Sequence, residues 1–265
     1  MDLQRLYKHL LESGRVECTE SRSKPKGLSV KTVRNINQMI SSALNCAVEQ
    51  QLIPSNPTKG CVLPKLERKE MKILPPESLG TFFEEARRSG VFELYYIDLA
   101  TGLRRGELLG LKWSDIDLDK GIIHVRRQVL RQKGEVVEAP LKTKNSYRTI
   151  SLGTDAVGIL KEQRMKCGGS EYVFPSPTGG PISPDSVIQM LHRVLKRAGL
   201  PKVRFHDLRH TFATVALQNG VDIKTVSGML GHYSAGFTLD TYAHVTTQAQ
   251  REAAKTMGSV LSGAF

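Results

Sequence analysis

Apolar residues recur at helical spacing over most of this chain, interrupted once by a block of short, strand-like runs. Leu3, Leu6, Tyr7, Leu10 and Leu11 share one face and stop before Gly14, which predicts an amphipathic helix over residues 2–13. A polar, basic stretch runs from Arg15 to Gly27. Ser29 then reads as the N-cap of a long helix whose stripe is Val33, Ile36, Ile40, Leu44, Ala47 and Val48, ending before Pro54.

The segment IPSNPTKGCVLPKLERKEMKILPP carries five of the chain's 12 prolines and a cluster of charges, the composition of an extended connector. Helices are predicted beyond it near 76–88, 91–101 and 104–110. Strand-like runs follow at IIHVRRQVL, EVVEAPL and RTISL, separated by Gly and Asn turns. Helical spacing returns at 154–166, 184–198, 206–219 and 222–230, and TQAQREAAKTMGSVL can form a last amphipathic helix. The expected fold class is α+β. A small all-α domain over residues 1–63 and a linker over 64–74 precede a mostly helical domain over 75–265 with a small three-stranded antiparallel sheet.

Charge narrows the choice of partner. Thirty-eight Lys and Arg against 26 Asp and Glu give a net charge of +12, which favours a polyanion such as nucleic acid. Cys18, Cys46, Cys61 and Cys167 are scattered without a C-x-x-C pair, against a zinc ribbon or a disulfide framework. The N-terminus has no apolar h-region and no long apolar run follows it, so a cytoplasmic protein without membrane association is expected.

Four segments hold most of the polar groups suited to a phosphodiester: TGLRRGELLGLKW, LKTKNSYRTISL, HDLRHTFAT and LGHYSAGFTLDTYAH. In order and spacing they resemble the signature boxes of the tyrosine recombinase (phage integrase) family, and the resemblance runs from Leu3 to the C-terminal helix. Integrases of phages and of conjugative transposons look most similar. The resemblance implies Arg104 from the first box, Lys142 from the hairpin, His206 and Arg209 from HDLR, His232 from LGH, and Tyr242 ten positions later as the nucleophile. Family members carry further core-binding helices, and often an arm-binding domain, ahead of the point where this chain begins, so residues 1–63 read as a truncated core-binding domain with an introduced Met1.

The chemistry of these residue types fits that assignment. Attack on a phosphodiester builds charge on its non-bridging oxygens, which the guanidiniums of Arg104 and Arg209 can grip through paired hydrogen bonds. A phenol is a good leaving group when strands rejoin, and the bond energy stays in a phosphotyrosine, so neither ATP nor another cofactor is expected, and no P-loop motif is present. The departing 5′ oxygen needs a proton donor. Lys142 or Lys144 could serve on chemistry alone; Lys142 is preferred because the family's lysine precedes Thr or Gly at the strand end. His206 can accept the tyrosine proton or bond the phosphate, His232 can donate to the phosphate, and Glu107, one turn after Arg104, is expected to orient that guanidinium.

Plainer readings compete with some of these. His206 and His210 stand at i and i+4, a half-site for zinc, but HDLRH lacks a third ligand; no metal is expected, and His210 is taken as packing or capping locally. Arg105 and Arg148 are read as touching backbone or satisfying surface carboxylates, and His244 as structural. Lys31, Arg34 and Gln38 line the polar face of the long helix, with Lys24 and Lys26 nearby; a solvated face looks the same, and the resemblance favours DNA contact, as it does for Lys144.

The implied reaction is cleavage by Tyr242 to a 3′-phosphotyrosine and attack by a partner's 5′-hydroxyl. Repeated on both strands through a Holliday junction within a tetramer on double-stranded DNA, it integrates or excises a mobile element. A type IB topoisomerase uses related chemistry without strand exchange, and a non-catalytic DNA-binding regulator predicts gaps in the set of boxes.

Overall fold

A computed structural model describes residues 2–16, 26–66, 71–141, 143–232, 234, 236, 238, 239, 241, 242, 254, 255, 257–259, 261 and 262. The chain divides into two compact units, Met1–Glu70 and Met71–Phe265.

In the first unit, helices α1 (Asp2–Ser13) and α2 (Val30–Glu49) bury Tyr7 and Val33. The Ser29 side chain accepts the Thr32 N–H at 3.2 Å, satisfying one of the donors a helix start leaves open. The proline-rich stretch is not extended throughout. Asn56 donates to Ser41 O and Asn45 Oδ1 on α2 and accepts from Thr58 N, which fixes a 3-10 turn at Pro57–Gly60. Val62 exchanges two hydrogen bonds with the Gln4 side chain, and Arg34 Nη1 reaches Pro64 O at 2.8 Å.

The second unit begins with a 3-10 turn at Pro76–Ser78, then α3 (Leu79–Arg88), α4 (Phe92–Thr101) and the short α5 (Arg105–Leu109). Strands β1 (Ile116–Asp117), β2 (Ile122–Val125), β3 (Arg127–Gln132), β4 (Glu135–Pro140) and β5 (Arg148–Ser151) come next. They are followed by α6 (Thr154–Lys166), α7 (Pro184–Arg197), α8 (Phe205–Gln218) and α9 (Ile223–Leu230). Residues 236, 238, 239, 241 and 242 are helical, as are the described residues of the tail between 254 and 262.

The antiparallel sheet has three strands, in the order β1-β2-β5, but its membership differs from the three strand-like runs read from the sequence. The run IIHVRRQVL breaks at Arg126. Buried Asp115 gathers both Arg126 and Arg127 at the break, so β2 stays beside β5, with Ile123 opposite Ile150. Past the break, β3 leaves to pair with β4 alone. Lys133 and Gly134, both at positive φ, close that two-residue hairpin, a turn whose twist matches the strands.

One core cluster joins α3, α4, α7 and the start of α8 to the sheet through Phe82, Tyr95, Ile123, Ile150, Leu191 and Leu208. A second collects Phe212, Ala213, Leu217, Val226, Leu230 and Tyr242. The candidate nucleophile is therefore a core residue, 1% exposed.

Candidate active site

Helix α4 stops at Gly102, whose φ of 61° lies in the left-handed region; a Cβ there would sit 2.3 Å from the Phe212 ring. The chain turns and Arg104 becomes the N-cap of α5. Glu107, in the first turn, accepts the Arg104 backbone N–H at 3.0 Å and its Nη1 at 2.7 Å. A carboxylate at a helix start also meets the positive end of the helix dipole.

Arg148, at the start of β5, donates Nη2 to the same carboxylate at 2.8 Å and is itself buried. Burial would raise the Glu107 carboxyl, but the hydrogen bond and charge of Arg148, with those of Arg104, outweigh it and hold the group below the usual carboxylate value.

Helix α9 ends at Gly231, again left-handed with φ of 62°, in the LGH box. The last carbonyls of a helix lack partners within it and carry partial negative charge. Here three consecutive carbonyls each take a guanidinium: Met229 O accepts Arg148 Nε at 2.5 Å, Leu230 O accepts Arg209 Nη2 at 2.5 Å, and Gly231 O accepts Arg104 Nη2 at 3.1 Å. Arg209 also donates Nη1 to Gly102 O at 2.7 Å, so both left-handed glycine turns hold it or its neighbour in place.

Charge is concentrated and only partly cancelled. Burial, then the charge of Arg104, pull Arg209 down to about 9, which leaves it cationic at neutral pH. Asp98 is fully buried, and burial, the largest influence, pushes its carboxyl well above the ordinary range against the opposing charge of Arg209. Arg104 and Arg148 share the one carboxylate of Glu107, while Arg209 donates to backbone carbonyls, an arrangement suited to an anion.

The imidazoles surround this cluster. His206, exposed at the start of α8, lines a cleft with Arg104, Arg105 and Arg204. Burial of part of its ring, and then Arg209, Arg204 and Arg104, lower its pKa. His232 bonds Thr238 Oγ1 through Nδ1 at 2.7 Å; burial and then Arg209 and Arg104 bring it down to about 4. Tyr242 directs its hydroxyl to Nδ1 of His210 at 2.7 Å. Burial pushes the phenol up to about 12, only partly offset by Arg209, and burial followed by the charge on His206 brings His210 down to about 4.

Arg104, Glu107, His206, Arg209, His232 and Tyr242 are thus gathered in one region of the second unit. Two residues read as bystanders belong with them. Arg148 satisfies a buried carboxylate rather than a surface one, because Glu107 is enclosed by α5, β5 and the end of α9. His210 bonds the tyrosine hydroxyl rather than only packing; its place one turn from His206 was the available signal. Arg105 reaches the Pro184 carbonyl.

Lys142, Lys24 and His244 lie outside the described residues, and of Lys144 only the backbone, in a 3-10 turn at Lys144–Ser146, is described. Lys26, Lys31, Arg34 and Gln38 are exposed on the first unit. Among the described residues no group of three or more His, Cys, Asp or Glu could hold a metal ion, and no helix is long and apolar enough to cross a membrane.

Residues 77–249 match the sequence profile of the "Phage integrase family". The chain belongs to the phage integrase family. Among similar proteins is a "Tyrosine recombinase XerC-like" of Caldanaerobacter subterraneus subsp. tengcongensis, 31% identical over 98% of this chain and 71% of the relative. The ICEBs1 integrase of Bacillus subtilis is 29% identical over 96% of this chain and 69% of that protein. The fold is similar to that of the Tn1549 transposon integrase in complex with a circular intermediate DNA, with a TM-score of 0.78 and 25% identity over 88% of this chain and 81% of that one. This phage integrase family member therefore holds the arginines of its first and third boxes, together with Arg148, on one frame, the carbonyl end of α9.

Proposed function

We propose that this chain is a site-specific DNA recombinase that breaks and rejoins strands through Tyr242. One observation carries the reading: Arg104 and Arg209, from separate helices, are anchored on the adjacent carbonyls of Gly231 and Leu230, beside His232 and the buried tyrosine. Guanidiniums fixed at one point and short of counter-charge form a cradle for the two non-bridging oxygens of a phosphodiester. Family membership and relatives named tyrosine recombinase and integrase support the same reaction.

In this reading Arg104 and Arg209 bind the scissile phosphate, His206 and His232 donate to it, and Glu107 orients Arg104. Tyr242 attacks phosphorus to give a 3′-phosphotyrosine, and Lys142 gives a proton to the departing 5′ oxygen. No cofactor or metal enters the step. Residues 1–63, as a core-binding domain, bind double-stranded DNA with residues 75–265; Lys24, Lys26, Lys31, Arg34 and Lys144 contact its backbone. Self-association on DNA as a tetramer passes strands through a Holliday junction, integrating or excising a mobile element in the cytoplasm.

The test uses a duplex selected from a random-sequence library by adduct formation, placed twice in a supercoiled plasmid. Recombinant circles with wild type, and none with Tyr242→Phe, support the proposal. Relaxation without recombinants identifies a topoisomerase instead, and DNA binding with neither product identifies a regulator.

A further inference from the structure

The Tyr242 hydroxyl meets His210, a residue outside the set that the sequence boxes imply. His206 and His210 stand one turn apart on α8, with rings edge to face and centroids 4.9 Å apart. The exposed ring lines the cleft with Arg104 and Arg204, while the other lies within 2.7 Å of the phenol oxygen. The two histidines therefore divide the site between the phosphate side and the nucleophile side.

On the reading that this chain cleaves DNA through Tyr242, we propose that His210 is a further catalytic residue, which orients the attacking hydroxyl and takes up its proton. The groups that face His210 are His206, Asp207 and Arg209 on α8, Arg204 at its cap, His232 beyond α9, and Tyr242 itself. In the DNA-free protein, burial and positive neighbours keep the imidazole neutral, and burial keeps the phenol protonated. With its ring proton on Nε2, a neutral imidazole accepts the phenol O–H at Nδ1, an acceptor held ready rather than an ion pair. A phosphate bound by Arg104 and Arg209 would offset the Arg209 contribution to the lowering of His210, the smallest of its causes, while burial, the largest, remains.

The step balances within the chain and its DNA. As the Tyr242 oxygen bonds phosphorus, its O–H bond breaks and the proton passes to Nδ1 of His210. The bond from phosphorus to the 5′ oxygen breaks with its electron pair, and that oxygen takes a proton from the Lys142 ammonium. On rejoining, the 5′-hydroxyl returns its proton to Lys142 and the phenolate recovers its own from His210.

The test is single-turnover adduct formation on a nicked suicide duplex, selected from a random-sequence library with the wild-type chain, followed from acid to alkaline pH. His210→Gln keeps a hydrogen-bond acceptor but cannot store a proton. It should bind DNA and melt like wild type, cleave roughly 10²–10⁴-fold more slowly, and lose the acid limb of the pH profile. His210→Ala should be equally slow and partly restored by added imidazole.

A Gln variant with the wild-type rate and pH profile overturns the inference alone. If that variant does not melt cooperatively, the Ala variant decides, and failure of imidazole to restore it is also contradictory. Absence of adduct with wild type, under conditions where it binds DNA, overturns the parent reading together with this one.

Discussion

Arg148 donates to Glu107 at 2.8 Å with both side chains buried, which makes a strand residue part of the support beneath Arg104. Glu107→Gln keeps the shape and removes the charge that two guanidiniums share. Breaking a buried pair from one side leaves the other charge uncompensated, so the variant should lose about 3–5 kcal/mol in urea unfolding. A loss under about 1 kcal/mol, typical of exposed pairs, contradicts that role.

Acid should destabilise the fold before it reaches ordinary carboxylates. His210 and His232 are held at about 4 in the folded chain, against 6.5 for an unperturbed histidine. Between those values the unfolded chain binds protons that the native chain does not, so stability is full above about pH 6.5 and falls as pH drops toward 4. Glu107 acts in the same sense lower down: its contribution is present above the usual carboxylate value and lost as pH falls through its depressed folded value. Urea midpoints from pH 8 to 5 check this; a midpoint that rises on acidification contradicts it.

Much of the fold is legible in the sequence. Helical periods located the long elements, and Ser29 marked a helix start that its hydrogen bond to Thr32 confirms. Of the residues that the boxes imply, Arg104 and Arg209 meet at the end of α9, while Lys142 lies outside the described residues. Strand partners are less legible, because Arg126 and Arg127 by themselves do not mark a change of partner within IIHVRRQVL, and the pull of Asp115 on both comes from outside the run. Arg148 and His210 were misread for a related reason. Each is defined by a partner distant in sequence, Glu107 and Tyr242, and burial of the carboxylate or phenol is a property of the packed fold.

Gly102→Ala tests the left-handed turn that anchors Arg209. It forces a Cβ to 2.3 Å from Phe212 at a φ of 61°. The expected cost is about 1–3 kcal/mol of backbone strain, with slower adduct formation because Gly102 O holds Arg209. Wild-type stability and rate together contradict the anchoring role.

Salt should weaken DNA binding steeply. With a net charge of +12, phosphate contacts should dominate, and the log–log plot of affinity against salt should have a negative slope of order several units. A nearly flat plot contradicts a backbone-dominated interface.

The most direct measurement is peptide mapping of the covalent adduct trapped on the suicide duplex. Phosphotyrosine-linked DNA on the peptide containing Tyr242, and no adduct from Tyr242→Phe, is the predicted result. DNA attached to any other residue, or an adduct that persists in Tyr242→Phe, contradicts the account.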